Sequence, residues 1–477
     1  MAKEFIVAIE LGSSKMRGIA GQKNLDGSIN VLAVAEEDST KCIRKGVVYK
    51  IDQTGQCLAS IMKKLKNALK QEITQVYVGV GGQSIRSVRN MIAKDLPEGT
   101  FVSQEIINEL MDENRNMVYP EQEILDAVTQ EYKVDSREEI DPVSVQCTRL
   151  EGNFLNILWR KSFYRNLNAC FDNAGIAIGE MYLAPLALAD SVLTDVEKRS
   201  GCVLVDLGAD TSTVSVYYKG LLRNLAVIPL GGSNITRDIA SLQMEEKNAE
   251  EMKLKYARAY TDNADIDNTL SYPIDAERSV ESRKFVEIVE ARLDEIIENV
   301  WCQVPNEYLD KLLGGIILTG GGSNMPGIER AFRNHTNVEK IRVAKFVTQT
   351  INSHDPRITN KNGTMNTLLG LLAKGDMNCA GGEISSDFFG GGAGGDIYKG
   401  RPSDGTPKQG VVQTPADKKK AEDEALKKKK AEDEAKAKAE AEAKAQAEEE
   451  RRKNNFWHKL GRNFKNFGKQ ILQADEE

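Results

Sequence analysis

The residues best placed to do chemistry sit in three glycine-bearing turns, each at the end of a β-like apolar run: FIVAIELGSSKMRGIAG (5–21), CVLVDLGADTSTVSVYY (202–218) and GIILTGGGSNMPGIERAF (315–332). In the first two, the run reaches an acidic residue, Glu10 or Asp206. It then turns on Gly12 or Gly208 beside small hydroxyl residues and resumes as a second strand. Such a hairpin lets backbone N–H groups converge on an anion, because glycine tolerates unusual φ/ψ and its missing side chain permits close approach. Two of them can clamp a phosphate chain from both sides. In the third, a strand meets Gly320, Gly321 and Gly322, then Asn324 and Pro326 ahead of an amphipathic stretch. Bare backbone can there pass close to a flat ligand just before a helix begins.

The elements that must position these turns show as changes of pattern. Residues 5–82 read as strands followed by a helix in which Leu58, Ile61, Met62, Leu65 and Leu69 recur at helical spacing. From 84 to 159 the pattern changes to short strands and a helix (SVRNMIAKD, SQEIINELMDENRNM, FLNILWR). Helical spacing returns at 164–174 and 183–193, and 235–308 is mostly helical and charged. A chain of 477 residues, 40% hydrophobic, is too long for one core and sufficient for two or more domains. Its net charge of −7 argues against a general nucleic-acid surface. Seven scattered cysteines without a Cys-x-x-Cys pair read as reduced, packed thiols, and His335, His354 and His458 lie too far apart for a histidine metal site. The opening MAKEFIVAIE enters the first hairpin directly and does not read as a signal peptide. No apolar run approaches the roughly 20 residues of a membrane-spanning helix.

The order of the three turns resembles the layout of the actin, Hsp70 and sugar-kinase ATPases, in which two similar α/β domains close on ATP. Four further runs narrow the resemblance: DGSINVLAVAEEDSTKCIRKGVVYKID (26–52), VYVGVGGQSI, LAPLALADSVLTDVEKRSGCVLVDLG and LLRNLAVIPLGGSNITRDIA. They resemble the FtsA family of bacterial cell-division proteins over residues 5–372, with RKGVV and IPLGGSNITRDIA the most specific. The resemblance implies an α/β, actin-like two-domain ATPase fold with an FtsA-type inserted subdomain, followed by a C-terminal spacer and an amphipathic helix. Its parts would fall at 1–83 (1A, first phosphate hairpin), 84–162 (inserted 1C), 163–201 (return to 1A), 202–231 (2A, second phosphate hairpin), 232–312 (2B, partner binding) and 313–376 (return to 2A, adenosine turn).

The implied cofactors are ATP and Mg2+. Gly12, Ser13, Ser14 and Lys15 would form the first phosphate turn, the serines offering donors and Lys15 either a counter-charge or a solvated surface lysine. Gly208, Asp210 and Thr211 would form the second. Asp206 and Glu10 would hold the metal, Asp206 through water, because Mg2+ keeps much of its hydration shell. Gly231 and Gly232 of IPLGGSN would join the pocket. Glu250 and Lys253, three apart on one helix face, would flank ribose and base or else form a plain charged face. Gly320, Gly321, Gly322 and Asn324 would pass under the adenosine. Departures from the superfamily's pattern include Glu10 for the usual Asp, and Asp210 and Thr213 for Gly and Asp where relatives read DIGGGTTD. Asp210 is expected to bring negative charge near the phosphates, weakening ATP binding or altering metal use. No residue is named as a catalytic base, and at most weak ATPase activity is expected.

Residues 377–416, rich in Gly with Pro402 and Pro407, read as a flexible linker. Residues 417–453 alternate Lys with Glu and Asp among Ala, and KKKAEDEA occurs twice; as an isolated helix or as disorder they make a spacer. In 454–477 the helical period puts Phe456, Trp457, Leu460, Phe464, Phe467 and Ile471 on one face and Lys459, Arg462, Lys465 and Lys469 on the other. An aromatic apolar face opposite a basic one, separated from every core by a polar spacer, suits an anionic membrane surface. The resemblance implies the same ending.

The resemblance implies an ATP-binding cell-division protein that self-associates into filaments and anchors FtsZ at the cytoplasmic face of the membrane, where later division proteins join. The FtsZ C-terminal tail would meet 2B. There 276–300 reads as a helix with Phe285, Val286, Val289, Leu293, Ile296 and Ile297 inward and Arg278, Arg283 and Arg292 toward solvent. Arg278 and Arg292 match basic positions of the family's binding surface; ion pairs with Glu277 and Glu295 are the alternative reading. Other actin-like scaffolds, of pilus-assembly or cell-shape type, and a small-molecule kinase are the competing functions. The kinase leaves the amphipathic segment unexplained.

Overall fold

Short apolar runs broken by tight turns build the first sheet. Ile6–Leu11 (β1) and Lys15–Lys23 (β2) form a hairpin that Ile29–Asp38 (β3) extends. The computed structural model describes residues 4–381 and 409–412. After two short strands, Ile43–Arg44 (β4) and Val47–Val48 (β5), the helix Ile51–Leu69 (α1) buries Leu58, Ile61, Met62 and Leu65. It stops at Lys70, which adopts φ 54° and returns its N–H to Lys66 O. Gln75–Val80 (β6) then lies parallel to β1.

The insert comprises Arg86–Asp95 (β7), Gln104–Arg115 (α2), Gln122–Val134 (β8), Arg137–Glu139 (β9) and Arg149–Arg160 (β10), with a small core of its own around Leu110, Val134, Leu150 and Phe154. Helix α2 starts where the Ser103 hydroxyl accepts the Ile106 N–H. The first half continues with Lys161–Ala174 (α3), Ala177–Leu183 (β11), Ala184–Val192 (α4) and Asp195–Ser200 (α5).

The second half repeats the plan. Cys202–Leu207 (β12), Ser212–Tyr218 (β13) and Leu221–Ile228 (β14) form the meander. Gly232–Ala240 (α6), Glu246–Tyr256 (α7), the hairpin Ser271–Pro273 (β15) and Ser279–Glu281 (β16), and Ser282–Trp301 (α8) follow. Gly315–Thr319 (β17), Ile328–Thr336 (α9) and Ile341–Val343 (β18) complete the sheet, and the chain goes on through Ile351–Asn352 (β19), Pro356–Thr359 (α10) and Asn366–Lys374 (α11). One sheet runs β11-β6-β1-β2-β3-β19; the other runs β18-β17-β12-β13-β14 and on into β7-β10-β8-β9 of the insert. The first five positions correspond one for one, so the two halves are copies of one design. A single paired position, Ala226 with Arg86, joins β14 to the insert.

Three expectations are corrected. Residues 313–376 do not all return to the second half. Strand β19 pairs with β3, and α11 lays Leu368, Leu369, Leu371 and Leu372 into the first core against α4, β1 and β2, with Ala344 and Val347 in the same cluster. The leucine run is buried on more than one side, and glycines admit it: a Cβ on Gly79 would stand 2.5 Å from Leu371 Cδ1. Second, the linker expected over 377–416 is anchored at both described ends. Cys379 N–H donates to Phe5 O (2.8 Å), and 410–412 hydrogen-bond to β11. Third, the helix expected over 276–300 begins only at Ser282, and Arg278 lies in the β15–β16 turn. The spacer 417–453 and the amphipathic segment 454–477 lie outside the described residues. All seven cysteines are free, and no described helix is long and apolar enough to cross a membrane.

Candidate functional site

Each hairpin turn requires glycine: a Cβ on Gly12 would stand 2.5 Å from Lys15 O, and one on Gly208 2.7 Å from Thr211 O. The register of β1 with β2 sets Glu10 opposite Arg17, and β12 sets Asp206 between Thr213 and Thr319. Glu10 and Asp206 are thus equivalent residues of the two copied sheets, and they come within electrostatic reach of one another and of Arg17. Burial pushes the Glu10 carboxyl up to about 7, with Arg17 opposing and the charge of Asp206 adding; burial also lifts Asp206 to about 6, again opposed by Arg17. Glu10 Oε2 has no hydrogen-bond partner among the described residues, and Arg17 Nη1 stands 4.0 Å away. Two carboxylates short of cationic compensation are a fitting donor set for Mg2+, which takes one or two carboxylates and completes its shell with water and phosphate oxygens.

The third turn presses onto the second hairpin. Gly320 adopts φ 83°, and a Cβ on it would stand 2.3 Å from Asp206 Oδ1; one on Gly322 would stand 2.9 Å from Leu207 Cβ. Gly321 meets nothing nearer than Thr364 Cγ2 at 3.8 Å, so its surface stays open. Asn324 Nδ2 donates to Asn362 O (2.8 Å) and thereby fixes the loop. Gly231 and Gly232 bring the start of α6 against the same hairpin, with Gly232 N–H on Gly208 O (3.0 Å) and Ser233 N–H on Ala209 O (2.7 Å). From α7, Lys253 Nζ reaches Gly232 O (3.1 Å), Thr236 Oγ1 (2.8 Å) and Glu250 Oε2 (2.7 Å). The expected pair therefore arrives at the site as an ion pair.

Several polar groups of the turns also hold local contacts. Ser13 Oγ accepts the Gly46 N–H (2.8 Å), and Ser14 O accepts the Ser39 N–H (3.2 Å). Lys15 pairs with Glu36 at 2.7 Å and is half exposed. Thr211 is half-buried in its turn. Asp210 does not stand bare against a phosphate. Its Oδ2 accepts the Lys45 N–H (3.1 Å) from the first half, and Oδ1 lies 3.9 Å from Arg237 Nη2. Arg278 is exposed and Arg292 half-buried, and both are held in ion pairs. Arg278 Nε donates to Asp275 Oδ2 (2.6 Å), and Arg292 forks onto Asp238 (2.5 and 3.1 Å) while also pairing with Glu295. Sequence reasoning missed Arg17, Lys45 and Arg237. Only Arg17 left a signal, since counting strand register outward from the Gly12 turn sets it opposite Glu10.

Two family models match the chain: "Cell division protein FtsA" over residues 203–361 and "SHS2 domain inserted in FTSA" over 82–158, the latter spanning β7 to β10. The cell division protein FtsA of Porphyromonas gingivalis is 35% identical over 324 residues, 66% of this chain and 68% of that protein. The one of Bacillus subtilis is 31% identical over 333 residues, 68% and 75% respectively. Among solved structures, the PilM-PilN type IV pilus biogenesis complex is similar at a TM-score of 0.55 and 14% identity, covering 78% of this chain and 98% of that one, a likeness of fold alone. A duplicated α/β core, an SHS2 insert after the first half's β6, and relatives of this identity and coverage together establish that the chain belongs to the FtsA family of cell-division proteins.

Proposed function

We propose that the chain binds ATP with Mg2+ in the cleft, polymerises, and ties FtsZ filaments to the cytoplasmic face of the cell membrane. The observation that carries this reading is the meeting of Glu10 and Asp206 from equivalent strand ends, beside turns in which only glycine fits. Phosphates would lie between the turns 12–15 and 208–211, with Mg2+ held through water by Asp206 and Glu10. The adenosine would rest on Gly320, Gly321 and Gly322, with Glu250 and Lys253 on the ribose side. Such a nucleotide touches both halves, so its binding favours the closed cleft and fixes the surfaces by which copies stack. Binding is the chemistry of the site; no residue is assigned as a base.

Membrane affinity would come from 454–477, with Phe456, Trp457, Leu460, Phe464, Phe467 and Ile471 entering the interface and Lys459, Arg462, Lys465 and Lys469 meeting anionic headgroups. One such helix binds weakly, and a filament multiplies it. The FtsZ tail would reach Arg278 and Arg292 by displacing Asp275 and Asp238 from them. Sedimentation with Mg-ATP, with and without anionic vesicles, tests the whole. The intact chain should pellet with vesicles, the chain lacking 454–477 should not, and Asp206→Ala should lose the ATP-dependent part. Nucleotide-independent pelleting of all three would overturn the reading.

A further inference from the structure

Strand β11 is the outermost strand of the first sheet, and an outermost strand leaves a row of backbone N–H and C=O groups without strand partners. Residues 409–412 cover this one. Leu183 N–H donates to Gly410 O (2.7 Å), Val412 N–H donates to Met181 O (2.8 Å), and Tyr182 bridges antiparallel to Val411. Val412 is 1% exposed, Val411 packs on the first core, and Gly410 adopts φ 86°, the region that favours glycine. Gly410 N–H donates to Asp126 Oδ2 (2.7 Å), and Asp126 is a buried residue of β8, in the insert. Three residues, Gly410, Val411 and Val412, thus engage a sheet edge, an apolar core and a buried carboxylate of another subdomain. That is a built receptor for a short extended segment.

We propose that residues 409–412 are the root of the C-terminal tether: a docked strand that fixes where the spacer leaves the body, at the seam between the first sheet and the insert, and that can undock. Docked, the tether to 454–477 begins at 413. Undocked, it begins at 382, and at no more than ~3.6 Å per residue the released chain adds on the order of 100 Å of reach. Reach sets the effective concentration of an anchor at its surface, so docking decides how closely the body is held. Tension on the anchor is delivered to Asp126, hence to the insert. The membrane half of this statement rests on the function proposed above; the docking does not.

Hydrogen exchange on the full-length chain at low concentration, read at the peptide containing Leu183, tests the docking. The wild type should protect the Leu183 amide, and Val412→Asp and Gly410→Val should each speed its exchange about tenfold or more while exchange in α1 stays unchanged as a control of folding. Vesicle sedimentation should persist in both variants, and energy transfer from a labelled body to the vesicle surface should fall. Equal, fast exchange in wild type and variants overturns the root. Protection that grows with protein concentration also overturns it, since the strand would then come from a second copy. Loss of sedimentation in the wild type would strike the membrane reading and leave the docking standing.

Discussion

At Asp210 one carboxylate joins the two halves, accepting the Lys45 N–H from the first and facing Arg237 of the second. Phosphates reaching this turn would compete with it for the same N–H. Asp210→Gly should therefore lower the melting temperature of the nucleotide-free protein, by a hydrogen bond to a charged group worth about 1.5–3 kcal/mol. Calorimetry should show Mg-ATP binding unchanged or tighter in the same variant. Asp206→Ala should bind Mg-ATP at least tenfold more weakly, about 1.4 kcal/mol; tighter binding there would contradict the metal assignment. On the outer face, Arg292 is held by Asp238, so Asp238→Asn should free its fork and tighten the FtsZ tail peptide. Arg292→Glu should weaken that peptide and leave ATP binding alone. Fluorescence anisotropy with both folded variants decides, and an affinity unmoved by either removes Arg292 from the partner surface. The placement of Glu10 and Asp206 near strand ends beside glycine turns was legible because turn chemistry is local. Lys45 and Arg237 were not, because they come to Asp210 only through tertiary approach.

At the scale of elements, helix α5 shows how a terminus can hold a sheet edge. Glu197 closes a capping box with Thr194 and also takes a two-pronged contact from Arg342 of β18, at 2.7 and 2.8 Å. Burial works against its charge, yet the Arg342 guanidinium and the Thr194 hydrogen bonds bring the carboxyl down to about 2 from an ordinary 4.5. A carboxyl lowered on folding stabilises fully above 4.5 and loses that contribution as pH falls through about 2. Glu197→Gln should thus cost about 2 kcal/mol at pH 7. Its melting temperature should converge on that of the wild type between pH 4.5 and 2; a constant gap across that range would sink the assignment. The hairpins and helices α1, α3 and α4 could be read from spacing alone. The half to which α11 belongs could not, since a leucine run says that a helix is buried but not which sheet it backs. The late start of α8 escaped for a related reason: a three-residue hairpin carries too little alternation to stand out from a helical pattern.

For the whole molecule, attachment is the property that most needs testing. Deleting 454–477 should release the chain from anionic vesicles, and Trp457→Glu should do nearly as much by placing charge on the apolar face. Sedimentation that survives both removes the segment as the anchor. The crossing of the chain between halves has a separate consequence, for its birth on the ribosome. The second half is contiguous, β12 to β18, whereas the first lacks β19, α11 and the Cys379 contact to β1 until after the second has been made. At about 5–20 residues per second, β1 and β2 wait roughly twenty to seventy seconds for the leucines that complete their core. Nascent chains stalled just ahead of Asn366 should carry a protease-resistant second half and an open first sheet, the surface on which a chaperone would be found. The segment 454–477 is translated after both halves, so on the proposed function affinity for lipid would reach the molecule only once both halves have the residues they need to close.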